Sequence, residues 1–282
     1  MVRGVILVRC VWCDLWHAEF ARLREWLKLP SVEIDLGGFS ILGPNQCAHA
    51  QRIPPASPTL SCTYSGATLG RGIDGLSERI SVRNGEIRGM GGAGVSLTSL
   101  GRAEHLTVTD NGASGIFAPL SILNDLVVAR NFGPGISGVY SSVTNSVAAQ
   151  NQVGIADAQI ITRCTIQQNT MGGVIATSVS VSGSTIANNG GDGLSLGWGI
   201  LTGNNIGGNL GCGAKFATGV GASGAIGDND FINNNLGVTC TGGGNQKQIT
   251  GNVIATSCNV VTCTTGGVQV GSFCPTNTLT CL

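Results

Sequence analysis

The sequence predicts an all-β fold, a single-stranded, right-handed parallel β-helix of about nine coils with roughly 20 residues each. Three observations lead to this prediction. Glycine makes up 45 of the 282 residues, while aromatic residues account for 5% and charged residues for 11%, a composition that excludes a helical bundle. Asparagine and glycine recur with a fixed period, and the segments between them are short and alternate in polarity. Right-handedness follows the general preference of parallel crossover connections.

The repeat reads apolar, two variable residues, asparagine, three variable residues, glycine, apolar. About nine copies lie between Arg79 and Asn259. Successive copies from Met90 to Asn209 are 18 to 21 residues apart, with the asparagine position occupied by Met90, Asn111, Asn131, Asn151, Asn169, Asn189 and Asn209. The glycine position is occupied by Gly94, Gly115, Gly135, Gly154, Gly173, Gly193 and Gly213, and a later copy is centred on Asn235.

Asparagine and glycine tolerate left-handed backbone conformations at low cost, so they mark tight turns between short strands. A unit of roughly 20 residues is too short for a helical crossover, so each strand pairs in parallel with its counterpart roughly 4.8 Å away. Stacked asparagines can then bond to each other or to the neighbouring backbone. The asparagine column is therefore predicted to be structural, in a rod on the order of 45 Å long that is filled by Val, Ile and Leu.

Two stretches, Asn188–Leu194 (NNGGDGL) and Ile34–Ile41 (IDLGGFSI), resemble the repeats of the pectate-lyase-like superfamily of right-handed parallel β-helix proteins. The resemblance covers residues 31–260, predicted as one β-helix domain. The resemblance implies the fold. It does not imply one activity, because the superfamily includes lyases, hydrolases, epimerases and phage tailspikes. The paired-aspartate, Gly-His-Gly and Arg-x-Lys motifs of polygalacturonase-like hydrolases are absent, as is the Arg-x-Pro-x-x-Arg motif of pectate lyases. No catalytic residue carries over from the resemblance.

Residues 1–30 differ from the repeats and are predicted to cap the rod. The segment Asp14–Lys28 has helical spacing of its large apolar residues and is predicted to form an amphipathic helix over the open strand edges of the first coil, with the apolar positions Trp16, Phe20, Leu23 and Leu27. The alternative is a misassigned start, with a signal peptide lost upstream. The apolar run within Met1–Val8 is too short for a signal peptide itself.

The chain has 11 cysteines, which indicate an oxidising, extracellular or cell-surface location. Cys47 and Cys62 bracket a Pro- and Ser-rich loop and are predicted to form a disulfide. Residues 261–282 are predicted to be a cysteine-containing tail. Two further disulfides, of open connectivity, are predicted among Cys240, Cys258, Cys263, Cys274 and Cys281. The isolated Cys164 and Cys212 are predicted to be buried as small apolar residues.

The formal charge is zero, with 15 basic and 15 acidic side chains, and no apolar run approaches the length of a membrane span. Nucleic acid and membranes are therefore not predicted as partners. The resemblance to the pectate-lyase-like superfamily implies instead a polysaccharide or cell-surface glycan as the partner. No cofactor is predicted. Cys10 and Cys13 have the spacing of half a zinc site, but no second pair of Cys or His residues at a suitable spacing completes it. Asp228 and Asp230 leave calcium as an open, weaker alternative. The oligomeric state is left open.

Outward-facing charge concentrates in the first three repeats. If strict alternation holds along each strand, His105 lies in one column between Asn84 and Asp125, roughly 5 Å from each, and Glu86 and Arg88 are roughly 7 Å apart on one strand. Asp125 could then orient His105 as a base, Arg88 could neutralise a sugar carboxylate, and Glu86 could donate a proton or bind substrate. The alternative interpretation is a solvated face with cross-strand ion pairs.

Two classes of function follow. The first is a non-enzymatic repeat protein for glycan binding, adhesion or structure, favoured because the coils are short and poor in charge after the third. The second is a lyase or epimerase acting on an acidic polysaccharide, which depends on His105, Asp125, Arg88 and Glu86.

Overall fold

The computed structural model describes residues 5–7, 32–43, 45–50, 59–63, 70–216, 224–234, 236–240, 247–255, 262–263 and 268–273. Within these ranges the protein is all-β and contains no α-helix. The strands are β1 (Val5–Leu7), β2 (Glu33–Asp35), β3 (Ser40–Leu42), β4 (Gln46–Ala50), β5 (Thr59–Thr63), β6 (Ile73–Gly75), β7 (Ser81–Arg88), β8 (Val95–Leu97), β9 (Arg102–Thr109), β10 (Ile116–Phe117), β11 (Ile122–Ala129), β12 (Ile136–Ser137), β13 (Ser142–Thr144), β14 (Val147–Ala149), β15 (Val153–Ala156), β16 (Ile160–Thr162), β17 (Thr165–Gln167), β18 (Gly172–Ser182), β19 (Thr185–Ala187), β20 (Leu194–Thr202), β21 (Asn205–Gly207), β22 (Cys212–Phe216), β23 (Gly224–Gly227), β24 (Asp230–Ile232), β25 (Leu236–Cys240), β26 (Lys247–Ala255), β27 (Thr262–Cys263) and β28 (Val268–Phe273).

Successive coils stack in register and form three parallel faces. Face A contains the segments 33–35, 81–83, 102–104, 122–124, 142–144, 160–162, 180–182 and 200–202. Face B contains 86–88, 107–109, 127–129, 147–149, 165–167, 185–187 and 205–207. Face C contains 73–75, 95–97, 116–117, 136–137, 155–156, 174–176, 194–196 and 214–216. The β-helix predicted from the repeat is confirmed, with about seven turns in the uninterrupted range 70–216.

The inward-facing residues of the strand segments fill the core between the three faces. Face B, for example, contributes a column in which every side chain is buried, and the column consists of Ile87, Val108, Val128, Ala148, Ile166, Ile186 and Ile206. The period of the sequence thus places equivalent apolar residues directly above each other. Their burial is the main source of stability of the rod.

Residues in the left-handed region form the corners between faces. The corner from face A to face B has a φ between 50° and 59° at Asn84, His105, Asp125, Asn145 and Arg163. A left-handed residue bends the chain and reverses the alternation of side chains, so two consecutive residues, such as Glu104 and His105, both avoid the core. The predicted strict alternation through His105 therefore fails at this corner.

Buried asparagines line the interior of the corner from face B to face C. Each side-chain oxygen accepts hydrogen bonds from the coil before it. The Nδ2 groups of this ladder also donate to backbone carbonyls: Asn131 to Val108 at 3.1 Å, for example. The members Asn111, Asn131, Asn151, Asn169, Asn189, Asn209 and Asn234 are nearly or fully buried. The structural role predicted for the column is confirmed, although in the copy after Asn209 the ladder residue is Asn234 and not Asn235.

The glycine column is required by close packing against the next coil. A Cβ atom at Gly115 would lie 2.7 Å from both Nδ2 of Asn131 and the carbonyl oxygen of Gly135. The same conflict with the next asparagine and the next glycine recurs at Gly135, Gly154, Gly173 and Gly193. Glycine therefore allows each coil to approach the asparagine ladder of its neighbour.

A second polar ladder lies inside the corner from face A to face B. Its oxygen atoms accept from the backbone of the preceding coil, as where Ser184 Oγ accepts from the N–H of Cys164 at 3.1 Å. The Cys164 thiol in turn faces the carbonyl oxygens of Thr162 at 3.4 Å and Val143 at 3.6 Å. Cys164 and Cys212 are both buried, as predicted. Cys164, however, occupies a position that serine or asparagine fills in later coils, so it belongs to a hydrogen-bonded ladder.

The Cys47–Cys62 disulfide is confirmed, and it joins directly opposite residues of the antiparallel hairpin β4–β5. Strand β1 pairs in parallel with β2 at the start of the rod. The predicted capping helix Asp14–Lys28 lies outside the described residues. Cys240 and Cys263 are register partners on adjacent coils, while Cys258, Cys274 and Cys281 also lie outside the described residues, so the pairing in the C-terminal tail stays a prediction.

Candidate functional site

A line of polar side chains follows the outer corner between faces A and B. We name it the corner stripe and define it as Asn84, His105, Asp125, Asn145 and Arg163, which all have a positive φ. Since neighbouring coils are separated by roughly 4.8 Å, the stripe extends on the order of 20 Å along the rod. Each residue lies at the same corner of its coil, so the repeat itself positions them.

His105 and Asp125 are in direct contact within the corner stripe. Nε2 of His105 lies 3.3 Å from Oδ2 of Asp125, as predicted from their shared column. The two side chains are 58% and 48% exposed, respectively. Asn124 donates to the same oxygen of Asp125 at 3.3 Å. The carboxylate can therefore orient the imidazole, and more than half of the His105 side chain is exposed to solvent.

The stripe continues as a chain of hydrogen bonds through the next coils. Oδ1 of Asn124 accepts from Nδ2 of Asn145 at 3.0 Å and from Oγ1 of Thr144 at 2.7 Å. Oδ1 of Asn145 in turn accepts from Nε of Arg163 at 2.9 Å. Hydrogen bonds therefore join Asp125 to Arg163, and the contact between His105 and Asp125 extends this line of polar groups by one coil.

Glu86 and Arg88 form a separate pair on face B. Nε of Arg88 lies 3.7 Å from Oε1 of Glu86, and Ser40 donates to the other oxygen of Glu86 at 3.0 Å. No hydrogen bond or ion pair among the described residues joins this pair to His105 or Asp125. The four predicted site residues thus lie in two pairs, because the corner at His105 separates face A from face B.

The structure adds a charged group on face A that strict alternation placed in the interior. Arg83 contacts Glu33 at 2.7 Å and Asp35 at 3.0 Å. Hydrogen bonds from the backbone of Gly37 and the side chain of Asn84, with the nearby Arg83, lower the pKa of Asp35. The left-handed corner could have been inferred from the recurrence of Asn and Asp one residue before the buried ladder, and it would have indicated that Arg83 faces outward.

Face A and the corner stripe together carry almost no net charge. Within residues 32–207 they present four carboxylates, from Glu33, Asp35, Glu104 and Asp125, against the three guanidinium groups of Arg83, Arg102 and Arg163. Arg102 pairs with Glu104, which raises the pKa of Arg102. Most of these charges are therefore matched locally, and amides and hydroxyls remain as the hydrogen-bonding groups of the surface.

Among the described residues, no three His, Cys, Asp or Glu side chains are grouped as a metal site would require. In the same part of the chain no helix is long and apolar enough to cross a membrane. The weaker calcium alternative at Asp228 and Asp230 stays untested.

No protein-family model and no curated protein matches the sequence. Among solved structures, the chain is similar to pectate lyase Pel9A, with a TM-score of 0.53 and 14% identity over 85% of this chain and 72% of the lyase. The A-module of the Azotobacter vinelandii mannuronan C-5 epimerase AlgE4 gives a TM-score of 0.49 and 17% identity over 74% of this chain. The corresponding AlgE6 module gives 0.32 and 14% over 88% of this chain. The chain spans 66% of the AlgE4 module and 61% of the AlgE6 module. Its fold is accordingly that of the pectate-lyase-like parallel β-helix proteins.

Proposed function

We propose that the chain is a secreted or cell-surface β-helix that binds polysaccharide along face A and the corner stripe. The observation that carries the proposal is the line of contacts from His105 to Arg163, which presents imidazole, amide and guanidinium groups along the rod. Sugar hydroxyls are both donors and acceptors, so a polymer lying along the rod meets a new polar group at each coil. The Cys47–Cys62 disulfide supports the extracellular location.

The test is a binding measurement against a panel of soluble polysaccharides, both neutral and acidic, by affinity electrophoresis. Asn145→Ala removes the amide that links Asn124 to Arg163, and we expect it to weaken binding. Asn205→Ala on face B is the matched control, since Asn205 is also an exposed asparagine beside a corner. Equal binding by both variants would contradict the assigned surface, and failure of the native protein to bind the whole panel would contradict the function.

A second candidate is a lyase or epimerase acting on an acidic polysaccharide, and the His105–Asp125 contact specifically favours it. A carboxylate in contact with the imidazole can orient the ring as the base that removal of a proton beside a sugar carboxylate requires. β-Elimination would be detected as rising ultraviolet absorbance of the unsaturated uronate during incubation with alginate or pectin. This candidate predicts that His105→Ala abolishes the rise. Full turnover by the Arg88→Ala variant would show that Arg88 and its face B partner Glu86 do not belong to the catalytic site.

A further inference from the structure

The later coils of face A present a regular surface without charge. Two outward columns run along it. We call the column formed by the first residue of each segment the outer column: Ile122, Ser142, Ile160, Ser180 and Ile200. We call the column formed by the third residue of each segment, next to the corner stripe, the inner column: Asn124, Thr144, Thr162, Ser182 and Thr202. We name these ten residues the neutral array. It occupies five consecutive coils, or on the order of 20 Å of the rod.

The polar groups of the inner column are linked between coils. Thr144 Oγ1 donates to Asn124 Oδ1 at 2.7 Å, and the hydroxyls of Thr162 and Ser182 are 3.3 Å apart. These contacts fix the hydroxyl and amide orientations before any ligand arrives, which reduces the entropic cost of binding. Ile122 and Ile160 in the outer column are 54% and 44% exposed, so apolar surface is available beside an oriented polar line.

The outer column alternates isoleucine and serine, so it repeats every two coils, roughly 9.6 Å. A β-1,4-linked sugar chain turns each ring over relative to the one before it, so its chemical repeat is two rings and has a comparable length. Laid along the rod with one ring per coil, such a chain presents an equivalent C–H face to every isoleucine. Its hydroxyls then meet the serines and the inner column.

Charge complementarity favours an uncharged polymer. A polyuronate carries a carboxylate on every ring, and the neutral array offers it no cation. The charged groups beside the array balance, with Glu104 and Asp125 against Arg102 and Arg163, so the surface has no excess positive charge to offset the desolvation of a polyanion's carboxylates. Neutral sugars encounter no such penalty.

We propose that the neutral array binds an uncharged β-1,4-linked polysaccharide parallel to the rod axis, with the isoleucines contacting alternate rings. The inference rests on the proposed polysaccharide-binding function and names its ligand class.

Titration calorimetry with four hexasaccharides tests the ligand class: cellohexaose, chitohexaose, maltohexaose and hexagalacturonate. The full-length, oxidised protein is compared with Ile160→Asp, which introduces a charge into the array, and with Ile160→Ser, which removes the two-coil alternation. Ile175→Asp is the matched control, because Ile175 is a 41% exposed isoleucine on face C. All four proteins should show the same thermal unfolding, since both positions are exposed.

We expect cellohexaose or chitohexaose to bind and maltohexaose, whose α-linkages curve the chain, to bind more weakly. Ile160→Asp should weaken binding by about tenfold or more because a carboxylate loses hydration beside an apolar sugar face. Ile160→Ser should weaken it less, and Ile175→Asp should leave it unchanged. Binding of hexagalacturonate in preference to the neutral hexamers would overturn the inference while the proposed function stands. Equal losses at residues 160 and 175 would overturn the assignment to face A.

Discussion

Oδ1 of Asn131 accepts two hydrogen bonds from Asn111 in the preceding coil, from the backbone N–H at 3.1 Å and from Nδ2 at 2.8 Å. In the same way, the backbone N–H and Nδ2 of Asn131 both donate to Oδ1 of Asn151 in the next coil. Each coil is thus joined to the next by a buried side chain as well as by strand pairing. A break at one position leaves polar groups of the neighbouring coil without partners.

Asn131→Ala should destabilise the protein strongly. It removes the acceptor of two buried N–H donors of Asn111, and each unsatisfied buried donor costs about 1–3 kcal/mol. We expect a lower midpoint in chemical denaturation followed by circular dichroism. Asn205→Ala, at an exposed position, is the control and should unfold like the native protein. A midpoint for Asn131→Ala equal to that of the control would contradict the structural role of the ladder.

Gly154→Ala should also destabilise the rod, for a steric reason. The new Cβ would contact the Ile166 side chain and lie 2.6 Å from the carbonyl oxygen of Gly173. Overpacking of this kind typically costs about 1–3 kcal/mol. Gly70→Ala is the control, because a Cβ there has no neighbour within 4 Å among the described residues. Thermal unfolding of the two variants should differ, and equal stability would mean that the coils can separate locally without cost.

Cys164→Ser should be tolerated and should remove a pH dependence of stability. Burial raises the pKa of the Cys164 thiol, so the folded state keeps its proton at a pH where the unfolded state ionises. Native stability should therefore fall, relative to Cys164→Ser, as the pH rises above 9.0, the ordinary thiol pKa. The slope is at most about 1.4 kcal/mol per pH unit.

The measurement is urea denaturation of both proteins from neutral pH to pH values above the ordinary thiol pKa. At neutral pH the thiol is uncharged in both states, so that point serves as the reference. Parallel curves for the two proteins would show that Cys164 ionises equally easily when folded.

Arg130→Lys should lower stability by up to about 1 kcal/mol, as expected when a two-point contact becomes one-point. Nε and Nη2 of Arg130 donate to the two oxygens of Asp110 in the preceding coil at 2.8 and 3.0 Å. Arg71→Lys is the control, because Arg71 makes a single contact with Asp74 at a more exposed site. A loss no greater than that of the control would show that the second hydrogen bond contributes nothing.

The site was predictable only in part. The shared column of His105 and Asp125 follows directly from the repeat length, since residues one period apart stack. The position of Glu86 and Arg88 relative to them depends on the backbone between residues 84 and 86, where one left-handed residue bends the chain. The same bend turns Arg83 outward. A pattern of alternating polarity does not contain that information, because the alternation of inward and outward side chains reverses at a corner.

For Cys164, too, the sequence predicts one part of the environment and the structure adds the other. Its isolation among apolar residues predicted burial, which is confirmed, but its neighbours along the rod are Ser146 and Ser184, which come from other coils. Only the alignment of the coils reveals that it stands in a polar ladder.

By itself, the sequence determined the period, the parallel stacking, the inward columns and the structural asparagines, because each of these depends on residues that recur at a constant spacing. The tertiary structure decided which polar residues share a surface, since left-handed corners rotate each strand onto a new face. It thereby separated Glu86 and Arg88 from the corner stripe and assembled the neutral array from residues of five coils.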